Sequence, residues 1–187
     1  MAVTVIVIAE KMKEKESRKK YLHCCDRWEA HGISRRKAVK DLENLKTQQI
    51  MKLGDIQQEV ASELDFLVEA WKKIIECRQI LRWTYACRYL LSENEHGKIE
   101  LFEFLQGQAE SGLEKLHSCA ERWVGEFLIA DGPLQNFDEF RKKLIGLTSV
   151  PRNYFENLVN AMENDLSDVE SKPVADPWIP IRRPRKF

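Results

Sequence analysis

One run of apolar residues constrains the fold more than any other feature of this sequence. Between residues 109 and 127 the apolar positions are spaced four, three, four, three and four residues apart: Ala109, Leu113, Leu116, Ala120, Trp123 and Phe127. This spacing places all six side chains on one face of an α-helix, as in a coiled-coil seam or a bundle core. No segment alternates apolar and polar residues over a useful length. The sequence therefore predicts an all-α fold, an elongated multi-helix bundle.

Glycine and capping residues predict where the first helices begin and end. A first helix is expected from about Glu10 to His31, because Gly32 is a typical helix stop. Ser34 is then the expected N-cap of a second helix. The sequence therefore predicts two separate helices on either side of Gly32.

Similar signals divide the rest of the chain. Gly54 either interrupts the second helix or lies in its last turn, and Ser62 is the expected N-cap of a third. The segment 92–98 is a predicted turn, and the segment 130–133 is expected to end the helix that carries the apolar seam. The sequence TSVP (148–151) predicts a boundary between a short helix and the last one.

The segment from Cys77 to Tyr89 has the apolar content of a helix that is packed on more than one side. Its polar face is reduced to three arginines: Arg78, Arg82 and Arg88. We expect the stems of these arginines to lie along neighbouring helices. Trp83 is predicted to be a buried core residue in this segment, and its truncation to be severely destabilising.

The stretch YLHCCDRW (21–28) places a histidine, two cysteines and an aspartate in a row. Neighbours on a helix point about 100° apart, so these four side chains fan out and cannot close on one ion. No CxxC pair occurs among the five cysteines: Cys24, Cys25, Cys77, Cys87 and Cys119. We therefore expect neither a metal nor a cofactor, with Cys25 packed inside and Cys24 near the surface or a neighbouring helix.

No motif for catalysis is present in the sequence. It contains no phosphate-binding loop, no nucleophile elbow and no zinc-protease signature. The carboxylates Glu110, Glu114 and Glu121 fall outside the apolar seam, and a solvated acidic face is the expected reading. We expect no catalytic residue on this chain.

The composition argues against some classes of partner and favours one cellular environment. Thirty basic residues balance thirty acidic ones, so no overall charge favours nucleic acid or an anionic membrane. The first apolar run is too short to span a membrane, and the odd cysteine count favours a reducing, intracellular setting. The segment 171–187 is rich in proline, ends in basic residues and is predicted to be disordered. Its RRPRK sequence is read as a solvated chain end or as a nuclear localisation signal.

Four stretches of this sequence resemble one known family. They are SRRKAVKDLENL (34–45), ECRQILRWTYA (76–86), LFEFLQGQAESGLEKLHSCAE (101–121) and FRKKLIGLTSVPRNYFENLVNAMEN (140–164). Together they closely resemble the helical Ariadne domain of plant Ariadne-type RING-between-RING E3 ubiquitin ligases. The resemblance covers roughly residues 9–170 and leaves residues 1–8 as a segment outside the family.

The resemblance implies a mechanism for the whole ligase. A first RING binds the ubiquitin-loaded conjugating enzyme, and a catalytic RING takes ubiquitin onto a cysteine before passing it to a substrate. The Ariadne domain folds back over that cysteine until a neddylated cullin–RING complex releases it. Our sequence has none of the CxxC pairs of the zinc modules, so the chain alone is expected to be non-catalytic.

The family's functional positions carry over only in part. Relatives have an aromatic pair where Cys24 and Cys25 stand, so the two cysteines resemble substitutions in a packed helix. The early contact positions fall near Lys37 and Ala38, whose residue types do not match. The acidic contact position falls nearest Glu110, with Glu114 as its neighbour, and both are candidate protein-interaction residues.

Two functions follow from these observations. The first is a regulatory, autoinhibitory-type domain that binds the catalytic RING module of a related ligase, with ubiquitin-pathway or cullin–RING complexes as further partners. The second is a structural helical-bundle adaptor that has no remaining ligase role. A cytoplasmic or nuclear location is expected for either function.

Overall fold

The computed structural model describes residues 2–92, 94–164 and 166, and the side chains within these ranges except those of 2–9, 123 and 150–152. It contains five α-helices: α1 (Ala2–Asn44), α2 (Ile50–Gln57), α3 (Asp65–Leu90), α4 (His96–Leu128) and α5 (Phe137–Glu163). The described residues include no β-strand, which confirms the all-α prediction. The predicted disordered segment 171–187 lies outside the described residues.

The helix α3 lies at the centre of the bundle. It contacts α1, α4 and α5. Contacts between Lys20 and Leu91 and between His31 and Arg78 show that α1 and α3 run antiparallel. None of the described helices covers the fourth side of α3.

The apolar seam on α4 forms the core as the sequence predicts. Ala109, Leu113, Leu116, Ala120 and Phe127 are all fully buried. At the end of α4, Phe127 lies 5.0 Å from Phe137 and 5.1 Å from Phe140, measured between ring centroids, in an aromatic cluster that joins α4 to α5. This confirms the heptad-like spacing as a bundle core, with the side chain of Trp123 outside the described set.

The predicted break at Gly32 is wrong, because α1 continues through it to Asn44. Arg82 of α3 lies directly over Gly32, and a Cβ atom there would be 3.2 Å from its Nε. The glycine therefore serves close packing and does not end the helix. Ser34 accordingly lies inside α1 and caps nothing.

Two other predicted boundaries are also wrong. Ser62 lies in a 3₁₀ turn (Ala61–Leu64), and α3 begins after it at Asp65. Residue 151 lies inside the single helix α5, where a proline removes one backbone donor. Thr148 instead donates its hydroxyl to the Leu144 carbonyl 2.7 Å away, and does not cap a new helix.

The connection between α1 and α2 is a π-helical turn (Leu45–Gln49). Leu45 and Leu53, which are eight positions apart, are both fully buried. After Leu53, Gly54 lies in the last turn of α2, which was one of its two predicted positions. A side chain at Gly54 would lie 2.9 Å from the Glu59 carbonyl oxygen, so the helix end depends on this glycine.

Trp83 is not a core residue, contrary to the prediction. It is 55% exposed, because it lies on the side of α3 that none of the described helices covers. The segment from Cys77 to Tyr89 is apolar nearly all round, so its residue pattern does not predict which side is exposed.

Candidate functional site

A buried charge network joins α1, α3 and α4 at the centre of the bundle. Arg78 of α3 is only 4% exposed. It donates from Nη1 to Glu114 Oε1 at 2.6 Å and from Nη2 to Glu114 Oε2 at 3.1 Å. Paired bonds of this kind between a guanidinium and a carboxylate are strong and directional. Arg78 therefore fixes the Glu114 carboxylate in position on α4.

Two buried histidines complete the environment of Arg78. Its Nη1 lies 3.3 Å from Nδ1 of His31 on α1, and its Nη2 lies 2.8 Å from Nδ1 of His117 on α4. A guanidinium can only donate, so both Nδ1 atoms accept and each ring proton is on Nε2. The Nε2 of His31 lies 3.2 Å from Glu110 Oε1, and that of His117 lies 3.5 Å from Glu121 Oε1.

This environment keeps both histidines neutral. Burial and the charges of Arg78 and Arg27 lower the pKa of His31 to about 4. Burial and Arg78 also lower the pKa of His117. A second proton on either ring would have to face the guanidinium N–H groups at Nδ1. The network therefore favours a single protonation state near neutral pH.

Glu110 is part of the same network and does not lie on a solvated acidic face. Its side chain is 18% exposed. It forms an ion pair with Arg27 and accepts a hydrogen bond from the Tyr85 hydroxyl at 3.0 Å. Arg27 in turn donates from Nε to the same hydroxyl at 3.2 Å. The predicted solvated face is wrong at Glu110, because this carboxylate holds α1 and α3 against α4.

Glu114 differs from Glu110 in its exposure. Although Arg78 holds both of its oxygens, its side chain remains 56% exposed. Partial burial raises the pKa of this carboxyl, but the hydrogen bond and the charge of Arg78 outweigh that effect and lower it. Glu114 therefore presents a fixed, ionised carboxylate at the surface.

The sequence comparison gives the family of this chain. Over 169 residues, or 89% of its length, the chain is 52% identical to the probable E3 ubiquitin-protein ligase ARI8 of Arabidopsis thaliana. It is 54% identical over 157 residues to the probable E3 ubiquitin-protein ligase ARI7 of the same plant. The chain belongs to the plant ARI family of Ariadne-type E3 ubiquitin ligases. The family resemblance predicted from the four sequence stretches is thereby confirmed.

The chain matches one segment of these ARI relatives. It spans 30% of the length of ARI8 and 28% of the length of ARI7. A more distant relative, the probable E3 ubiquitin-protein ligase ARI11, is 40% identical over 90% of our chain. Neither a protein-family profile nor a solved structure matches the chain.

The cysteines of this ARI-family chain are free thiols in poor surroundings for nucleophilic chemistry. Burial raises the pKa of Cys77 to about 12 and also raises the pKa of Cys24, Cys87 and Cys119. Cys25, which was expected to be packed, is instead partly exposed, whereas Cys24 is buried beside the neighbouring helix α3, one of its two expected positions. Cys24 faces the junction of α1 with α3 and α4, because its position on α1 falls on the bundle side.

Among the described residues, no three histidine, cysteine, aspartate or glutamate side chains lie close enough to hold a metal ion. Within the same part of the chain, none of the helices combines the length and the hydrophobicity that a bilayer-spanning segment requires.

The early family positions Lys37 and Ala38 lie at the edge of this region. Lys37 is exposed and pairs with Glu121 of α4, and Ala38 is fully buried. Sequence reasoning missed His31 and His117 as members of the network. Their only signal was Arg78, a charged residue in a nearly apolar helical segment, which requires buried partners.

Proposed function

We propose that this chain acts as a regulatory interaction domain in a RING-between-RING ubiquitin ligase, and that it binds the catalytic RING module of a related ligase. The observation that carries this proposal is the carboxylate of Glu114, which is both exposed and held at two points by Arg78. Membership of the ARI family supports the choice of partner.

The geometry of Glu114 suits a contact with a basic or amide donor. A carboxylate has about four acceptor sites, and Arg78 occupies two of them. The remaining sites face solvent on a side chain that is already ordered. A preordered acceptor loses little conformational entropy when a partner binds.

Glu110 has a secondary place in this proposal. It lies one turn before Glu114 on α4, so both carboxylates are on the same side of the helix. Its bonds to Arg27 and Tyr85 hold α1 and α3 in register with that side. We infer that Glu110 shapes the surface and that Glu114 makes the contact.

The cysteines support binding over catalysis. A ubiquitin-accepting cysteine needs an accessible thiolate. Burial raises the pKa of four of the five thiols, so they remain protonated near neutral pH. A chain with these thiols is suited to contact a catalytic module and not to replace it.

The test is a titration of a fluorescently labelled catalytic RING module from ARI8 with the wild-type chain and two matched variants. In Glu114→Gln the charge is lost, but one oxygen can still accept from Arg78. Glu126→Gln changes an exposed carboxylate further along the same helix. We expect micromolar or weaker binding for wild type, because no covalent linkage raises the effective concentration.

The two variants separate the outcomes. Glu114→Gln should weaken binding about tenfold, and Glu126→Gln should leave it unchanged. Equal binding by all three chains would show that Glu114 takes no part in the contact. No binding at millimolar concentration, with a normal melting curve, would reject the regulatory role and favour the structural adaptor.

A further inference from the structure

One face of the α1–α3 pair exposes several large apolar side chains. Tyr21 of α1 and Trp83, Tyr89 and Leu90 of α3 are all exposed, with Leu90 at 81%. The rings of Tyr21 and Tyr89 are in edge contact, with centroids 5.7 Å apart. Apolar side chains clustered in this way on a surface typically mark an interaction site.

A groove runs along this face. It has a volume of about 300 Å³. We call it the apolar groove. Its walls are formed by Tyr21, Cys24, Cys25 and Trp28 of α1 and by Tyr85, Ala86, Tyr89 and Leu90 of α3. A concave apolar surface of this size suits a few aliphatic or aromatic side chains of a partner.

A cation without a carboxylate partner lies at one end of the apolar groove. The Arg82 guanidinium carbon is 3.4 Å from the centroid of the Trp28 ring. Its Nε is buried and has no hydrogen-bond partner within the described part of the chain. No described carboxylate forms an ion pair with Arg82, whereas Arg78 and Arg88 of the same helix each have one.

A second cation reinforces the first. Arg35 follows Gly32 by three residues on α1, so it points to the same side of that helix. Because the Arg82 guanidinium lies over Gly32, Arg35 is about one helical turn beyond it along α1. The Nε of Arg35 is also buried without a partner among the described residues. The face therefore combines apolar walls with positive charge that no described anion balances.

We propose that the apolar groove docks an amphipathic helix of a partner protein whose acidic residues meet Arg82. The apolar residues of that helix would fill the groove, and a carboxylate would pair with the guanidinium beside Trp28. A second copy of this chain fits less well. A twofold interface would bring the same basic end of the groove against itself or leave both cations uncompensated.

This surface is separate from the proposed Glu114 contact, and Tyr85 lies between the two. The ring of Tyr85 forms part of the groove wall, while its hydroxyl bonds Glu110 on the other side. The two proposals can therefore be tested independently. Glu114→Gln should not change binding at the apolar groove.

The test uses a synthetic peptide of about 15 residues, built from leucine, phenylalanine, alanine and glutamate in a helical amphipathic pattern. A matched peptide has lysine in place of every glutamate. Binding of each fluorescent peptide is measured by anisotropy, and contact with the groove by the indole N–H signal of Trp28 in ¹⁵N NMR spectra. The acidic peptide should bind about tenfold tighter than the basic one and shift that signal.

Three variants of the chain make the test specific. Arg82→Met keeps an unbranched stem on Trp28 and should abolish the preference for the acidic peptide. Leu90→Ser, at a position that is 81% exposed, should weaken the binding of both peptides without unfolding the chain. Arg36→Met removes an arginine that already pairs with Glu29 and should change nothing.

Four results would overturn the proposal. Equal binding of both peptides would show that Arg82 does not select an acidic partner. No binding at millimolar concentration would show that the groove does not dock an amphipathic helix. A dimer in sedimentation equilibrium that Leu90→Ser dissociates would assign the face to a second copy. Binding to phosphatidylcholine vesicles containing phosphatidylserine, lost in Trp83→Ser, would assign it to a membrane surface.

Discussion

His31 of α1 accepts a hydrogen bond from Arg78 of α3, with 3.3 Å between Nδ1 and Nη1. This contact crosses the interface between two helices and needs His31 to be neutral. It therefore links the protonation of one side chain to the packing of the bundle.

The first prediction concerns the dependence of stability on pH. The pKa of His31 is lowered from 6.5 to about 4 in the folded chain, so the unfolded chain binds more protons between these values. The contribution of neutral His31 to the free energy of unfolding should be fully present above pH 6.5. It should fall by about 3 kcal/mol as the pH decreases to 4. Urea unfolding at a series of pH values measures this slope.

The window from pH 6.5 to 5 is the most informative for the histidines, because carboxylates titrate mainly below it. In His31→Gln, an amide oxygen can accept from Arg78 but cannot titrate, so the slope in this window should become shallower. His96→Gln, at an exposed position, is the matched control for the exchange of a histidine for glutamine. An unchanged slope in His31→Gln would contradict the assignment.

The second prediction concerns Arg78. Arg78→Met leaves Glu114 and two buried histidines without their donor, and should cost about 3 kcal/mol or more. Arg36→Met removes an exposed arginine and should change the free energy of unfolding by less than about 0.5 kcal/mol. Similar melting temperatures for the two variants would be inconsistent with a central role for Arg78.

The third prediction separates the structural role of Glu110 from a surface role. Glu110→Lys places a cation beside Arg27 and removes the acceptor of Tyr85, so it should destabilise the chain by about 2–4 kcal/mol. Glu126→Lys, on the same helix, should change stability by about 0.5 kcal/mol or less. Thermal melting followed by circular dichroism compares them. A wild-type melting temperature for Glu110→Lys would mean that this carboxylate is free at the surface.

The fourth prediction concerns two aromatic residues. Phe127 is fully buried between α4 and α5, so Phe127→Ala should cost about 3–5 kcal/mol. Trp83 lies on the open side of α3, and Trp83→Ala should cost less than about 1 kcal/mol. Denaturant midpoints at constant m-value give both numbers. The reverse order would place Trp83 in the core after all.

The fifth prediction concerns ubiquitin transfer. The chain alone should form no reducible ubiquitin adduct when it is mixed with a ubiquitin-charged conjugating enzyme, because burial raises the pKa of Cys24 and Cys77. Non-reducing gel electrophoresis is the measurement, with a complete ligase as the positive control. An adduct that disappears in Cys24→Ser would disprove this.

The sequence predicted the parts of the fold that depend on one helix at a time. The seam from Ala109 to Phe127 repeats on a single face, so its burial could be predicted without knowing the neighbouring helices. Gly32 misled the prediction because its local preference for a helix end was overridden by the approach of Arg82 from another helix.

The candidate site could not be predicted in the same way. Its members His31, Arg78 and Glu110 come from three helices, and no periodicity within one helix relates them. The sequence identified Glu110 and Glu114 only through the family resemblance. It could not show that one is buried in a network while the other remains exposed, because that difference depends on Arg27 and His31 of α1 reaching Glu110.

The π-helical turn at Leu45–Gln49 has a consequence for how the length of this chain can change. Seven residues make about two α-helical turns, so in a regular α-helix an eight-residue step would turn Leu53 by about 80° relative to Leu45. The wider turn holds the additional residue and keeps both leucines inside. Loss of one codon in this turn should therefore leave a regular helix with the same inward-facing residues, whereas the same loss between Leu113 and Leu116 would turn the rest of α4 by about 100°.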